Sequence, residues 1–192
     1  MIQNIDLISK KIPVNSAIAN ANNHITIKAT HQAWEKGLIN PIIVGEEKFI
    51  KSSVDRIGWN IKDIKIINSE SESQSAKICC QLAQKEDVSL IIKGHIHTDI
   101  LMSEYIKSEH SLRIKGKRLS HIWFMTFNGA EREPIIITDG ALNIKPSLET
   151  KKSIIANVIN FIERNNQFDP KIAILSATEE VLEQMESSLD AQ

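Results

Sequence analysis

Lys93-Gly94-His95-Ile96-His97-Thr98 places a cation, a glycine and two histidines directly after the apolar pair Ile91-Ile92. A lysine at that point supplies a compact charge suited to phosphate, and Gly94 permits a close backbone approach. His97 and Thr98 fall at the start of the next helical pattern, where free N–H groups and the helix dipole favour an anion. The same residues also read as an ordinary turn after a solvated strand end, because they match no fixed phosphate-binding motif. Arg113, Lys115, Lys117 and Arg118 form a second cluster of cations, suited to the phosphate groups of a ligand or equally to a solvated loop. His121 is a candidate base or a packed, hydrogen-bonded histidine. Asp139 closes the apolar run 134–138; it is a candidate base or substrate-orienting group, and also a loop cap. Asn143 is a ligand donor or a turn residue. Ser176 lacks a GxSxG context, which argues against a hydrolase nucleophile.

These residues need a scaffold, and the pattern of the chain supplies one. Short runs rich in Ile and Val occupy residues 14–19, 41–44, 64–67, 89–92, 122–127, 134–138 and 171–175. Most show little alternation, as expected of strands covered on both faces. Helical patterns lie between them, over 23–36, 70–85, 99–107 and 148–164, with a Ser-rich start before the second and Pro146-Ser147 before the fourth. Such alternation predicts an α/β fold, three-layered, with a mainly parallel sheet, right-handed crossovers and helices on both faces. The basic segment 111–118 interrupts the alternation. It divides an N-terminal α/β lobe (1–112) from a second lobe (113–192), in which the runs 122–127 and 134–138 can form a hairpin. In open α/β sheets ligands bind outside the carboxyl ends of the strands, which is where Lys93, Asp139 and Ser176 are expected.

Composition narrows the function classes. With 23 basic and 24 acidic side chains, no global field draws the chain toward nucleic acid or anionic membrane, so an anionic ligand must be held by local cations. Cys79 and Cys80 are adjacent and point apart on a helix, which argues against a disulfide between them. With no Cys/His ligand spacing, they imply a reducing, cytoplasmic setting and no metal site. Residues 1–11 lack the apolar core of a signal peptide, and no stretch approaches the roughly 18 apolar residues of a membrane span. The absence of GxGxxG and Walker A sequences weakens dinucleotide and P-loop readings.

Read together, the strand ends resemble the phosphate acetyltransferase and phosphate butyryltransferase family. Ala17-Ile-Ala-Asn20 resembles the family's opening, and Gly37-Leu-Ile-Asn-Pro-Ile-Ile-Val-Gly45 its G-x-x-x-P-I-x-V-G step. Lys93-Gly94 with His97-Thr98 resembles K-G-x-x-H-T. Leu112-Arg113 and Arg118-Leu-Ser-His121 resemble G-L-R-T-G-x-x-L-S-H. Ile137-Thr-Asp-Gly-Ala-Leu-Asn-Ile144 with Pro146 resembles I-T-D-A-A-x-N-I-x-P, and Pro170-Lys-Ile-Ala-Ile-Leu-Ser-Ala177 resembles P-K-V-A-x-L-S-A. The order and spacing of these segments carry the resemblance over nearly the whole chain. Leu119 to His121 and Asp139 to Asn143 lean it toward the butyryl-type branch.

The resemblance implies transfer of an acetyl or butyryl group between coenzyme A and inorganic phosphate, with no cofactor or metal in the chemistry. Coenzyme A, acyl-coenzyme A, phosphate and acyl phosphate are the expected small-molecule partners, in a cleft between two lobes of a homodimer or larger homo-oligomer. No nucleic acid or membrane partner is expected. Residue by residue, it places Lys93, Gly94, His97, Thr98, Arg113, Arg118, Ser120 and Asn143 among substrate-binding positions. His121, Asp139 and Ser176 are the catalytic candidates. The chain departs from the pattern at Ser111, where the family has glycine, and at Glu179 to Glu186, where it has prolines. It ends at Gln192 inside the last motif, so the expectation is a C-terminally shortened member with an incomplete second lobe. A catalytically impaired or vestigial module that binds coenzyme A or acyl phosphate is the alternative.

Overall fold

A computed structural model of the chain describes residues 12–127, 134–164 and 170–192. Residues 1–11, read above as no signal peptide, lie outside it. The described residues fall into two compact units, one reaching Lys115 and the other running from Gly116 to Gln192.

The first unit is a four-stranded parallel sheet of β1 (Val14–Ala19), β2 (Ile39–Gly45), β3 (Ile66–Asn68) and β4 (Leu90–Lys93), in the order β3-β2-β1-β4. The crossovers carry α1 (His24–Glu35), α2 (Glu47–Ile57) and α3 (Glu72–Gln84), and α4 (Thr98–Tyr105) follows β4. The Asn23 side chain starts α1 by accepting the Ile25 N–H at 2.7 Å, and Ser71 starts α3 in the same way through Gln74. Gly58, in the left-handed region at φ 67°, ends α2.

Alternation along β1 and β2 separates two cores. Ala17, Ala19 and Val44 pack with Ala76, Cys79 and Leu82 of α3 and Leu101 of α4. Ile18 and Ile43 pack with Ile27 of α1 and Ile50 and Val54 of α2. The sheet is therefore covered on both faces, in three layers as the sequence predicts. Each fully buried Ile or Val contributes about 1.5–3 kcal/mol relative to an exposed one. Helix α2 was not anticipated.

The second unit contains β5 (Trp123–Met125) and β6 (Ile135–Ile137), paired antiparallel with Trp123 opposite Ile137, then α5 (Leu148–Arg164) and the short α6 (Glu186–Ala191). The hairpin expectation is met in the pairing. Residues 171–175, expected as a strand, have no sheet partner among the described residues. They run opposite β6 across an apolar trough of about 640 Å³, lined by Ile135, Ile137, Ile154, Val158, Ile172 and Ile174. A strand needs a hydrogen-bonded neighbour, and this run has none among the described residues.

Candidate active site

In the first unit, β2 and β3 lie to one side of β1 and β4 to the other, so the strand order reverses between β1 and β4. The crevice outside the carboxyl ends at such a reversal is the characteristic ligand position of open parallel sheets. Lys93 stands there, the exposed last residue of β4 and the register partner of Ala19. The Gly94 N–H donates to the Ala19 carbonyl and the His95 N–H to that of Asn20, both at 2.9 Å. A Cβ on Gly94 would lie 2.5 Å from the Ala19 oxygen and 2.9 Å from that of Asn20. Close approach of β1 is therefore what demands glycine at this position.

Asparagines organise the same edge. Asn20 is buried in the left-handed region at φ 53°, which asparagine tolerates better than most residues. Its amide donates to the His95 carbonyl, and its Oδ1 accepts from Asn22 at 2.8 Å. Asn22 in turn accepts the Glu46 N–H at 2.7 Å, tying the ends of β1, β2 and β4 together.

His97 and Thr98 open α4 and are exposed. Glu72, at the start of α3, accepts the His97 N–H at 2.9 Å and contacts its Nδ1 at 2.9 and 3.1 Å. Those bonds, the backbone one first, hold the Glu72 carboxyl below the ordinary range, and the Glu72 bond raises His97. Glu72 was not singled out in the sequence; a first-turn glutamate signals only helix-dipole complementarity.

Further along α4, Glu104 is buried beneath Lys107 and His110, at 2.6 and 2.7 Å. Burial alone would raise its carboxyl, but Lys107 and His110 outweigh it and hold it below the ordinary range. With Glu109 nearby this is the one cluster of metal-type donors among the described residues. The Lys107 ammonium already neutralises the carboxylate a cation would need, so we read the cluster as structural.

The four cations Arg113, Lys115, Lys117 and Arg118 are all exposed and form no ion pair among the described residues. Arg113 and Lys115 belong to the first unit, Lys117 and Arg118 to the second.

In the second unit the segment 118–121 is fastened to the loop after β6. Asn143 donates to the Leu119 carbonyl at 2.9 Å and to Asp139 Oδ2 at 2.5 Å. Asp139 Oδ1 accepts the N–H groups of Ala141 and Leu142 at 2.8 and 2.9 Å. Partial burial alone would raise the Asp139 carboxyl, but these donors and the His121 backbone outweigh it and hold the group ionised. Thr138 donates to the His121 carbonyl at 2.7 Å. From α5, Asn157 donates to the Arg118 carbonyl and to Ser120 Oγ, at 2.8 and 2.9 Å. Asn157 also escaped the sequence reading, although a polar residue bordering the apolar stripe of Ile154, Val158 and Ile162 is a signal for it.

The structure thus brings Ser120, His121, Asp139 and Asn143 together. Because β6 is antiparallel to β5, Asp139 does not end a parallel strand as the sequence suggested. The His121 ring meets Trp123 edge-on at 4.9 Å, and its Nδ1 is buried with no hydrogen-bond partner among the described residues. Ser176 contacts Met185 Sδ at 3.2 Å and Ser187 Oγ at 2.8 Å, and so belongs with the C-terminal turn.

No protein-family model matches the sequence. The chain is 34% identical over 182 residues to a phosphate acetyltransferase of Rickettsia felis, which covers 93% of this chain and 51% of the relative. The chain is similar in sequence to phosphate acetyltransferases and phosphate butyryltransferases. A phosphate butyryltransferase of Clostridium acetobutylicum is 27% identical over 175 residues, covering 91% of this chain and 58% of the relative. The chain spans about half the length of the curated relatives it matches. In fold it superposes on a branched-chain phosphotransacylase from Enterococcus faecalis V583 with a TM-score of 0.73 at 23% identity, over 93% of this chain and 61% of that one. No helix among the described residues is long and apolar enough to cross a membrane.

Proposed function

We propose that this chain takes part in acyl transfer between coenzyme A and inorganic phosphate, giving acyl phosphate and free coenzyme A, or the reverse. The observation that carries this reading is the 34% identity to a phosphate acetyltransferase over 93% of the chain. In the forward direction a phosphate oxygen bonds to the thioester carbonyl carbon and the carbon–sulfur bond breaks. The sulfur leaves as thiolate and takes up a proton toward its ordinary pKa of about 8.5. The step balances without a metal or redox group, and coenzyme A enters as substrate.

Lys93, at the reversal of strand order, is the proposed phosphate contact, with His97 and Thr98 beside it on the same unit. Arg113 and Arg118 are the proposed contacts for the phosphates of coenzyme A, since a guanidinium holds phosphate bidentately. Asn143 spends its amide N–H groups on Leu119 and Asp139, which leaves its carbonyl oxygen for a ligand, and Ser120 accepts from Asn157, which leaves its O–H to donate. Of the catalytic candidates, His121 is favoured, because its Nδ1 has no hydrogen-bond partner among the described residues. Asp139 and Ser176 spend their polar atoms on their own loops. The binding-only alternative has no observation in its favour, since the relatives carry transferase names. A cytoplasmic location and assembly as a homodimer or larger homo-oligomer complete the reading. The free, buried cysteines and near-neutral charge support the former, and exposed Ile135, Ile137, Ile172 and Ile174 support the latter.

The test is release of free thiol from acetyl- and butyryl-coenzyme A with and without phosphate. Phosphate-dependent release that falls at least about tenfold in Lys93→Ala supports the assignment, a loss of about 1.4 kcal/mol of transition-state binding. Release independent of phosphate would overturn it.

A further inference from the structure

Glu72 and His97 come from different helices, 25 residues apart, and meet at the edge where Lys93 stands. Three contacts join them. One carboxylate oxygen accepts the His97 backbone N–H, and both oxygens lie within 3.1 Å of Nδ1. A surface ion pair with a single contact fixes little, because long side chains rearrange freely. Here both partners are held. Glu72 opens a helix whose next turn is anchored by buried Ser75, Ala76 and Cys79, with Ser75 Oγ 2.6 Å from the buried Ser69 Oγ. His97 caps α4, and its own backbone is bound by the same carboxylate.

We propose that Glu72 is a positioning residue that fixes the tautomer and charge of His97, so that Nε2 is the ring atom left for a ligand. The carboxylate accepts, so Nδ1 must carry a hydrogen. The neutral ring then has its lone pair on Nε2, and the protonated ring presents a second N–H there. The two nitrogens point to different sides of the ring, so Nε2 faces away from Glu72. The His97 side chain is 75% exposed, which leaves that nitrogen accessible.

Charged and titratable groups around the ring act in both directions. Glu72 on α3 and Asp99 on α4 favour the imidazolium, and Lys93 at the end of β4 opposes it. His95, on the intervening loop, adds to the positive side acting on Glu72. The net direction is a histidine that stays charged to higher pH than usual, next to a lysine. Such a pair suits an oxyanion such as phosphate; this last step, and only this step, rests on the function proposed above.

The test is nitrogen NMR of the full chain labelled at histidine, recorded against pH for wild type, Glu72→Gln and Glu72→Asp. In the wild type His97 should carry its neutral-state hydrogen on Nδ1 and titrate above the ordinary value of about 6.5. In Glu72→Gln the tautomer preference should be lost and the titration should fall toward that value. Glu72→Asp, which keeps the charge, should restore the preference in part. Identical His97 tautomer and titration in wild type and Glu72→Gln would overturn the proposal. Adding inorganic phosphate separates the two readings. A wild-type Nε2 signal that ignores phosphate, with the tautomer still set by Glu72, supports the positioning role and counts against the phosphate site.

Discussion

Ala19 and Lys93 are register partners across β1 and β4, the two strands between which the sheet reverses its order. That pairing puts the lysine at the one edge position where neighbouring crossovers diverge and leave a crevice. The adjoining Gly94 is then fixed by its neighbours, because the Ala19 and Asn20 carbonyls leave no room for a side chain.

Gly94→Ala should destabilise the first unit by about 1–3 kcal/mol, the usual cost of forcing an added methyl into packed surroundings. Backbone oxygens are the obstacle, so side-chain rearrangement gives no relief. Urea unfolding followed by circular dichroism checks this, and a midpoint equal to wild type would contradict it.

Asp139 should act as a loop fastener with a definite pH dependence. Its folded carboxyl titrates below the unfolded one, so its stabilisation is complete above the ordinary aspartate value of about 3.9. It is lost as pH falls through the lowered folded value. Asp139→Asn should therefore reduce stability at neutral pH, with a smaller deficit near about pH 3. Urea midpoints at both pH values test the sign; an equal deficit at both would argue against an ionised fastener.

Arg118→Ala should weaken coenzyme A binding more than Lys117→Ala. Arg118 lies in the segment tied down by Asn157 and Asn143, and loss of a charge-assisted contact costs roughly 1.5–3 kcal/mol. Calorimetric titration of both variants would decide, and equal affinities for wild type and Arg118→Ala would refute it.

The two thiols should be inert in the folded chain. Burial pushes Cys79 up to about 12 and Cys80 up to about 11, the latter helped by Glu104. Thiolate, the reactive form, is then scarce at neutral pH. A disulfide reagent should label neither cysteine until denaturant is added. Rapid stoichiometric labelling of the native chain would disprove the burial argument.

The sheet of the first unit was legible because its central strands β1 and β2 are largely buried and most of its strand runs are rich in Ile and Val. Helix α2 was equally available in the stretch 45–63, with Ile50 and Val54 four apart and Gly58 to end it, but no side-chain cap marks its start. Residues 171–175 show the opposite case. Composition spells a strand, yet strand formation depends on a partner edge that composition cannot report. Lys93, His97 and Asp139 were visible as residue types at strand ends. Glu72, the partner of His97, and Asn157, the partner of Arg118 and Ser120, were not, because each acts across a fold contact of 25 or more residues.

The most direct test of acyl transfer is phosphorus NMR of the chain mixed with acetyl-coenzyme A and inorganic phosphate. The account predicts an acetyl phosphate resonance that grows as the phosphate signal declines, with free thiol appearing in equal amount. Its growth should require all three components and should slow in Lys93→Ala. Thiol release with no acyl phosphate resonance, or no reaction in a chain that still binds both substrates, would contradict it.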